Sequence, residues 1–240
     1  MSNVSSAVIE DLAPTGTLRA SINLGNPVLA QGTPDAPAGV TVDLARELAA
    51  RLGVRVEFVC FDAARKSFEA MVNGQADICF LAIDPAREAE VAFTAPYVVI
   101  EGVFAVPEDS AITKSADVDR DGVRVGVKHG SAYDLFLTRT LEHATLVRGD
   151  EGVDVFLADG LEAGAGIRQP VTDFVAANDG LRVIEDAFMQ IQQALGTTKS
   201  RSPETVEFLR HFIEDQKANG FVANSLHRSN RPDATVAPPA

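Results

Sequence analysis

Apolar and polar residues alternate along this chain with two different periods. Short apolar runs at 18–24, 54–60 and 78–83 are separated by two stretches, 41–52 and 63–73, in which apolar residues recur every three or four positions. Short runs bounded by turn residues predict strands, and the longer period predicts amphipathic helices. Gly53 and Gly74 directly follow the two helical stretches, where a left-handed residue commonly ends a helix. The resulting order, βαβαβ, predicts a mostly parallel sheet covered on both faces and joined by right-handed crossovers.

The rhythm restarts after residue 97. Residues 98–106 form a long extended run ended by Pro107, and the polar, turn-rich segment PEDSAITKSADVDRDG follows. Strands are then predicted at 123–127, 161–167 and 181–184, and helices at 131–142, 150–158 and 169–177. A second extended run at 188–195 leads to a helix over 202–219 that opens with Ser-Pro-Glu, with a short continuation from residue 221. The tail, about 229–240, is rich in proline and polar residues and is expected to be disordered. Two α/β halves joined by two extended runs imply two lobes, one of residues 1–98 with 192–240 and one of 99–191. A ligand cleft is expected between them, with the crossing runs as its hinge.

The most informative stretch is GQADICFLAIDPAREAEVAFTAPY. A buried strand ends at Asp84 and Pro85, and Arg87 follows where open sheets bind ligands. A guanidinium there offers a planar fork of donors suited to a carboxylate. The competing expectation is a surface salt bridge to Glu88 or Glu90. In the second half, GVKHGSAYDLF reads as a strand, a glycine turn and a helix start. Free backbone N–H groups at Ser131 and Ala132, beside Lys128 and His129, would favour an anion there; an ordinary helix cap explains the same residues.

Composition narrows the partners. A net charge of -13 disfavours nucleic acid and anionic membrane surfaces, and no apolar run approaches bilayer length. The opening MSNVSSAVIEDLAPTG lacks the charged and apolar regions of an export signal, which points to the cytoplasm if Met1 is the native start. Cys60 and Cys79 fall in apolar runs and are expected to be buried thiols on strands that flank the first strand. His129, His143, His211 and His227 show no ligand spacing, so neither a metal nor any other cofactor is expected.

Over roughly residues 17–225 the chain resembles the bacterial extracellular solute-binding proteins of family 3, the polar amino-acid receptors of ABC importers. The residues that carry the resemblance are Ala82, Ile83, Asp84, Pro85, Ala86 and Arg87, then Phe93, Thr94, Ala95, Pro96 and Tyr97. Val125, Gly126, Val127, Lys128, His129, Gly130 and Ser131 complete it in the second half. It implies an α/β two-lobe clamshell of the type 2 periplasmic-binding-protein kind, mostly parallel sheets joined by two crossing strands, with no direct membrane insertion. It also implies ABC-transporter membrane subunits as partners, and a periplasmic location if a signal peptide was removed.

Two departures bear on the ligand. Family members that bind α-amino acids hold the ammonium with an aspartate that aligns here with Ile167, followed by Arg168. The hydroxyl that often assists the arginine is replaced by Ala82. An unpaired buried ammonium would cost several kcal/mol. The expected ligand is therefore a small carboxylate-bearing metabolite without an α-ammonium, such as a keto, hydroxy or dicarboxylic acid. Arg87 and Ser131 would hold one carboxylate, Lys128, Arg168 or Arg65 a second group, and Asn23 and Asn26 would read hydroxyl or carbonyl groups. Asp84 or Glu101 could instead replace the missing aspartate. A solute-binding protein, not an enzyme, is the main expectation. A cyclohexadienyl dehydratase-like lyase, with Glu101, Asp84 or Glu162 as its acid, and a cytosolic small-molecule sensor are the alternatives.

Overall fold

The computed structural model describes residues 4–232 and 234–240. Along the chain, α1 (Ser6–Leu12) and β1 (Thr17–Asn23) precede a hairpin of β2 (Gln31–Thr33) and β3 (Ala36–Ala38), then α2 (Val40–Leu52), β4 (Arg55–Phe61) and α3 (Ala64–Val72). Next come β5 (Ile78–Ala82), the one-turn α4 (Pro85–Glu88) and the long β6 (Val91–Pro107). A short 3-10 turn, Ser115–Val118, leads to β7 (Arg124–Lys128), α5 (Ala132–Thr140), β8 (Thr145–Gly149) and α6 (Gly152–Ala158). After these come β9 (Ala163–Ile167), α7 (Arg168–Ala176), β10 (Leu181–Val183) and β11 (Met189–Thr198). The chain ends with α8 (Pro203–Ala218), α9 (Phe221–Arg228) and β12 (Thr235–Val236). It divides into two compact units, Met1–Val99 with Gln192–Ala240, and Ile100–Ile191, so β6 and β11 both run from one unit into the other.

In the first unit β1 lies between β4 and β5 and is parallel to both, while β11 joins β5 antiparallel with Leu81 opposite Ala194. This is the α/β architecture expected from the alternating periods. Its interior is built from Leu18, Ala20 and Ile22 of β1 with Leu44 and Leu48 of α2, all fully buried. On the other side of β5, Cys79 and Leu81 pack with Met71, Ala76 and Val91. Asp77, at the entry to β5, fastens distant segments: it accepts from Arg19 Nη2 at 2.8 Å and from Arg201 Nη2 at 3.1 Å. Cys60 and Cys79 are free thiols on the strands flanking β1, as expected, but Cys60 is only half-buried.

The tail departs from the expectation of disorder. Thr235 and Val236 pair antiparallel with Val99 and Val98 of β6, and Ala234 and Ala237 are buried. Lys217 Nζ donates to the Pro238 carbonyl at 2.8 Å and to the Pro96 carbonyl at 3.2 Å. Polar composition favoured an unstructured end; small apolar residues between the prolines instead find open strand hydrogen bonds on β6.

The second unit has β7 between β8 and β9, parallel to both, and β6 antiparallel to β9 with Phe104 opposite Ala165. The sequence pattern had not indicated β8, whose half-exposed residues blur the apolar signal. Phe156 of α6 packs on Val103, Ala105, Leu161 and Val171. The helix comes so close to the sheet that a Cβ on Gly152 would collide with the Ala165 carbonyl and lie 2.9 Å from the Gly126 carbonyl. Among the described residues no helix is long and apolar enough to cross a membrane, and no group of three or more His, Cys, Asp or Glu could hold a metal ion.

Candidate functional site

At the C-terminal end of β5 the chain turns at Asp84, whose Oδ1 accepts the Ala86 N–H at 2.9 Å and so caps α4, with Pro85 in the first helical position. The turn directs Arg87 back toward the strand: its Nη1 donates to the Ala82 carbonyl at 3.1 Å. Arg87 is 3 % exposed, so the surface pair with Glu88 or Glu90 allowed by the sequence is not where this guanidinium sits. Burial pushes its pKa down to about 10, against the opposing pull of Asp84 and of Cys79. A desolvated cation of this kind gains from a carboxylate more than an exposed one does. Cys79 beside it is a buried thiol pushed up to about 12, which leaves it unreactive.

The other first-unit candidates are engaged locally. Asn23 Oδ1 accepts the Gly25 N–H at 3.0 Å and Asn26 Oδ1 accepts the Val28 N–H at 3.3 Å, so both acceptor oxygens shape the turn after β1. Arg65 pairs with Glu69 one helical turn on, at 2.8 Å. Ala82 is buried and contributes its carbonyl to Arg87.

In the second unit, β7 ends at Lys128 and the chain passes through His129 and Gly130, the latter at φ 69°, a conformation that suits glycine. Ser131 then caps α5, its Oγ accepting the Asp134 N–H at 3.0 Å. Asp134 reaches past the cap residue, its Oδ2 accepting the Gly130 N–H at 2.8 Å, and Arg148 pairs with it at 3.0 Å. This helix start therefore already holds an internal carboxylate. Ala132 and Tyr133 carry the next N–H groups of the first turn, which a helix leaves without intrahelical partners. Lys128 is bonded to Glu151, and His129 is exposed, its backbone N–H on the Gly149 carbonyl at 3.0 Å.

At the end of β9, Ile167 stands opposite Gly102 of β6 and occupies the cap position of α7 without a side-chain bond. Arg168 opens that helix and donates from Nε to Glu101 Oε2 at 2.5 Å and from Nη2 to the Glu185 carbonyl at 2.8 Å. Gln190 Nε2 donates to Glu101 Oε1 at 3.0 Å. These bonds, the Gln190 one foremost and the Arg168 ones next, hold the Glu101 carboxyl below its usual pKa. Glu162 is likewise lowered by its bonds to Arg124. Two of the three acids considered for a dehydratase are thus kept ionised, unsuited to donating a proton near neutral pH.

Sequence reasoning did not find Asp134, Glu151 or Gln190. Only Asp134 had a readable signal, an acid three residues after Ser131 at capping-box spacing. The other two meet their partners across 23 and 89 positions.

The fold is found in solved structures of low identity. ArgBP from T. maritima, as its P235GK mutant, is 22 % identical with a TM-score of 0.75, covering 93 % of this chain and 99 % of that one. An amino acid ABC transporter substrate-binding protein from Streptococcus pneumoniae, bound to L-arginine, is 17 % identical with a TM-score of 0.76, covering 97 % of this chain and 100 % of the other. The ancestral amino acid-binding protein AncCDT-1, a precursor of cyclohexadienyl dehydratase, is 23 % identical with a TM-score of 0.72, covering 92 % and 97 %. No curated protein matches the sequence. The profile of the bacterial extracellular solute-binding proteins, family 3, matches residues 23–228, and this chain belongs to that family.

Proposed function

We propose that this chain captures a small carboxylate-bearing metabolite outside the cell, in the periplasm where there is one, and delivers it to the membrane subunits of an ABC importer. The observation that carries this reading is Arg87, a buried guanidinium at the C-terminal end of a sheet strand with its pKa pushed down to about 10. A bound carboxylate would offset that desolvation with charge-assisted hydrogen bonds. The second unit carries its own candidate for an acid, the first-turn N–H groups at Ala132 and Tyr133 behind the Ser131 cap.

Calorimetric titration of small carboxylates into the wild type and Arg87→Met tests the reading. Binding should weaken by about 2–5 kcal/mol in the variant, the usual result of truncating one side of a buried charge pair. Unchanged affinity would remove Arg87 from the site. The likeness to a dehydratase precursor makes an enzymatic reading worth one assay: incubation with prephenate or arogenate should yield no aromatic product, and steady formation of one would replace capture with catalysis.

A further inference from the structure

The C-terminal tail is held to β6 by more than its own short strand. Thr235 is the register partner of Val99 and Val236 of Val98, and one residue further on Ala237 N–H donates to the Tyr97 carbonyl at 3.1 Å. Hydrogen-bonded pairs recur at every second residue of an antiparallel ladder, so Thr235 and Val99 form the next one. Ala234 and Ala237, on either side of β12, are buried. A strand this short holds poorly by itself in water. What secures it is α8. Lys217 is only 4 % exposed and donates to the Pro238 carbonyl at 2.8 Å, to the Pro96 carbonyl at 3.2 Å and to Glu214 Oε1 at 2.6 Å, one acceptor for each ammonium proton. Glu214 in turn accepts the Ala240 N–H on Oε2 at 3.3 Å. One ion pair on α8 thus fastens both the tail and the β6 segment that the tail pairs with.

The fastened segment stops where β6 leaves the first unit, because the two units divide between Val99 and Ile100. Register partners of β6 in β12 end at Val99 and those in β9 begin at Gly102, so Ile100 and Glu101 belong to neither pairing. Local opening concentrates where few bonds hold the backbone, and bending motions are absorbed by a few residues. The composition of β6 draws no such line: Val98, Val99 and Ile100 share one β-branched preference for extended backbone. The boundary comes from the tail.

We propose that residues 234–240 are a strap that fixes β6 up to Val99 and confines the bending of this crossing strand to Ile100 and Glu101. Lys217 is the residue that positions the strap, since it alone joins the Pro96 carbonyl on β6 to the Pro238 carbonyl on the tail.

NMR relaxation dispersion and amide hydrogen exchange along β6 test this on three solute-free proteins: the full chain, the chain lacking residues 234–240, and Lys217→Met. In the full chain, exchange on the microsecond-to-millisecond scale of bending motions should appear at Ile100 and Glu101 and be absent at Val98 and Val99. Removing the tail should extend it back over residues 97–99 and accelerate hydrogen exchange at Val99 by about tenfold, the scale of one lost hydrogen bond. Lys217→Met keeps the tail but removes its anchor, so it should give the same spread with a smaller acceleration; it decides alone if the shortened chain does not fold. Dispersion at Val98 and Val99 in the full chain, its absence from Ile100 and Glu101, or variants that keep the full-chain pattern would each overturn the strap.

Discussion

In the first unit the candidate cation is a fully buried guanidinium whose pKa falls to about 10 because burial outweighs Asp84 and Cys79, whereas in the second unit Lys128, Arg148 and Arg168 keep more exposure beside the carboxylates they meet. Both arrangements use the C-terminal ends of parallel strands, β5 in one unit and β7 and β9 in the other. They differ in how far the cations are withdrawn from water. Arg87 is withdrawn from water, whereas the second unit's cations keep partial hydration beside the acids they meet, and α5 adds its first-turn N–H groups. Counting arginines and lysines would have made both units look anion-seeking. Burial and ion pairing separate the two sets.

The largest break in this contrast is Arg87→Met, with carboxylate binding reduced by about 2–5 kcal/mol while circular dichroism shows both units folded. Gly152→Ala attacks the scaffold of the second unit alone. A Cβ there meets the Ala165 carbonyl, so α6 must move off the sheet, and chemical denaturation should show a loss of about 1–3 kcal/mol. Asp134→Asn weakens the internal carboxylate of the α5 start. Loss of the Arg148 pair and a weaker bond from the Gly130 N–H should cost about 1–2 kcal/mol by the same measurement, moderated because Arg148 can relax into water.

The smallest expected effect is on pH dependence. Glu101, Glu162 and Asp11 all have folded pKa values below their ordinary ones. Their contribution is therefore complete above the unfolded values of about 4 and is lost as pH falls through the lower folded values. Melting temperature should be flat from neutral pH down to about 5 and drop below about 4. A melting temperature that rises on acidification would show that these carboxylates are not favourably bonded in the folded protein.

Much of the fold was legible because helix and strand periods are local. The helices at 41–52 and 202–219 and the strands around β1, β4, β5 and β7 follow from apolar spacing and from glycine and proline stops within a few residues. Elements with no such signal were missed: α1, the β2 and β3 hairpin, β8, and β12, which exists only because β6 offers a strand to pair with. Arg87 was legible as a candidate for the same reason the fold was, since Ala82, Asp84 and Pro85 that set its position lie within five residues of it.

What the sequence by itself determined is the α/β order, the strand-end arginine with its local turn, the Ser131 cap and a charge balance that argues against polyanionic partners. Tertiary structure alone decided the electrostatic state of those groups. Arg87 is buried, the tail is a strand, and Arg168, which looked like a second anion site, is joined to Glu101 across 67 positions. Backbone periodicity depends on near neighbours, but a side chain's charge is set by desolvation and by partners that only folding brings within a few ångströms.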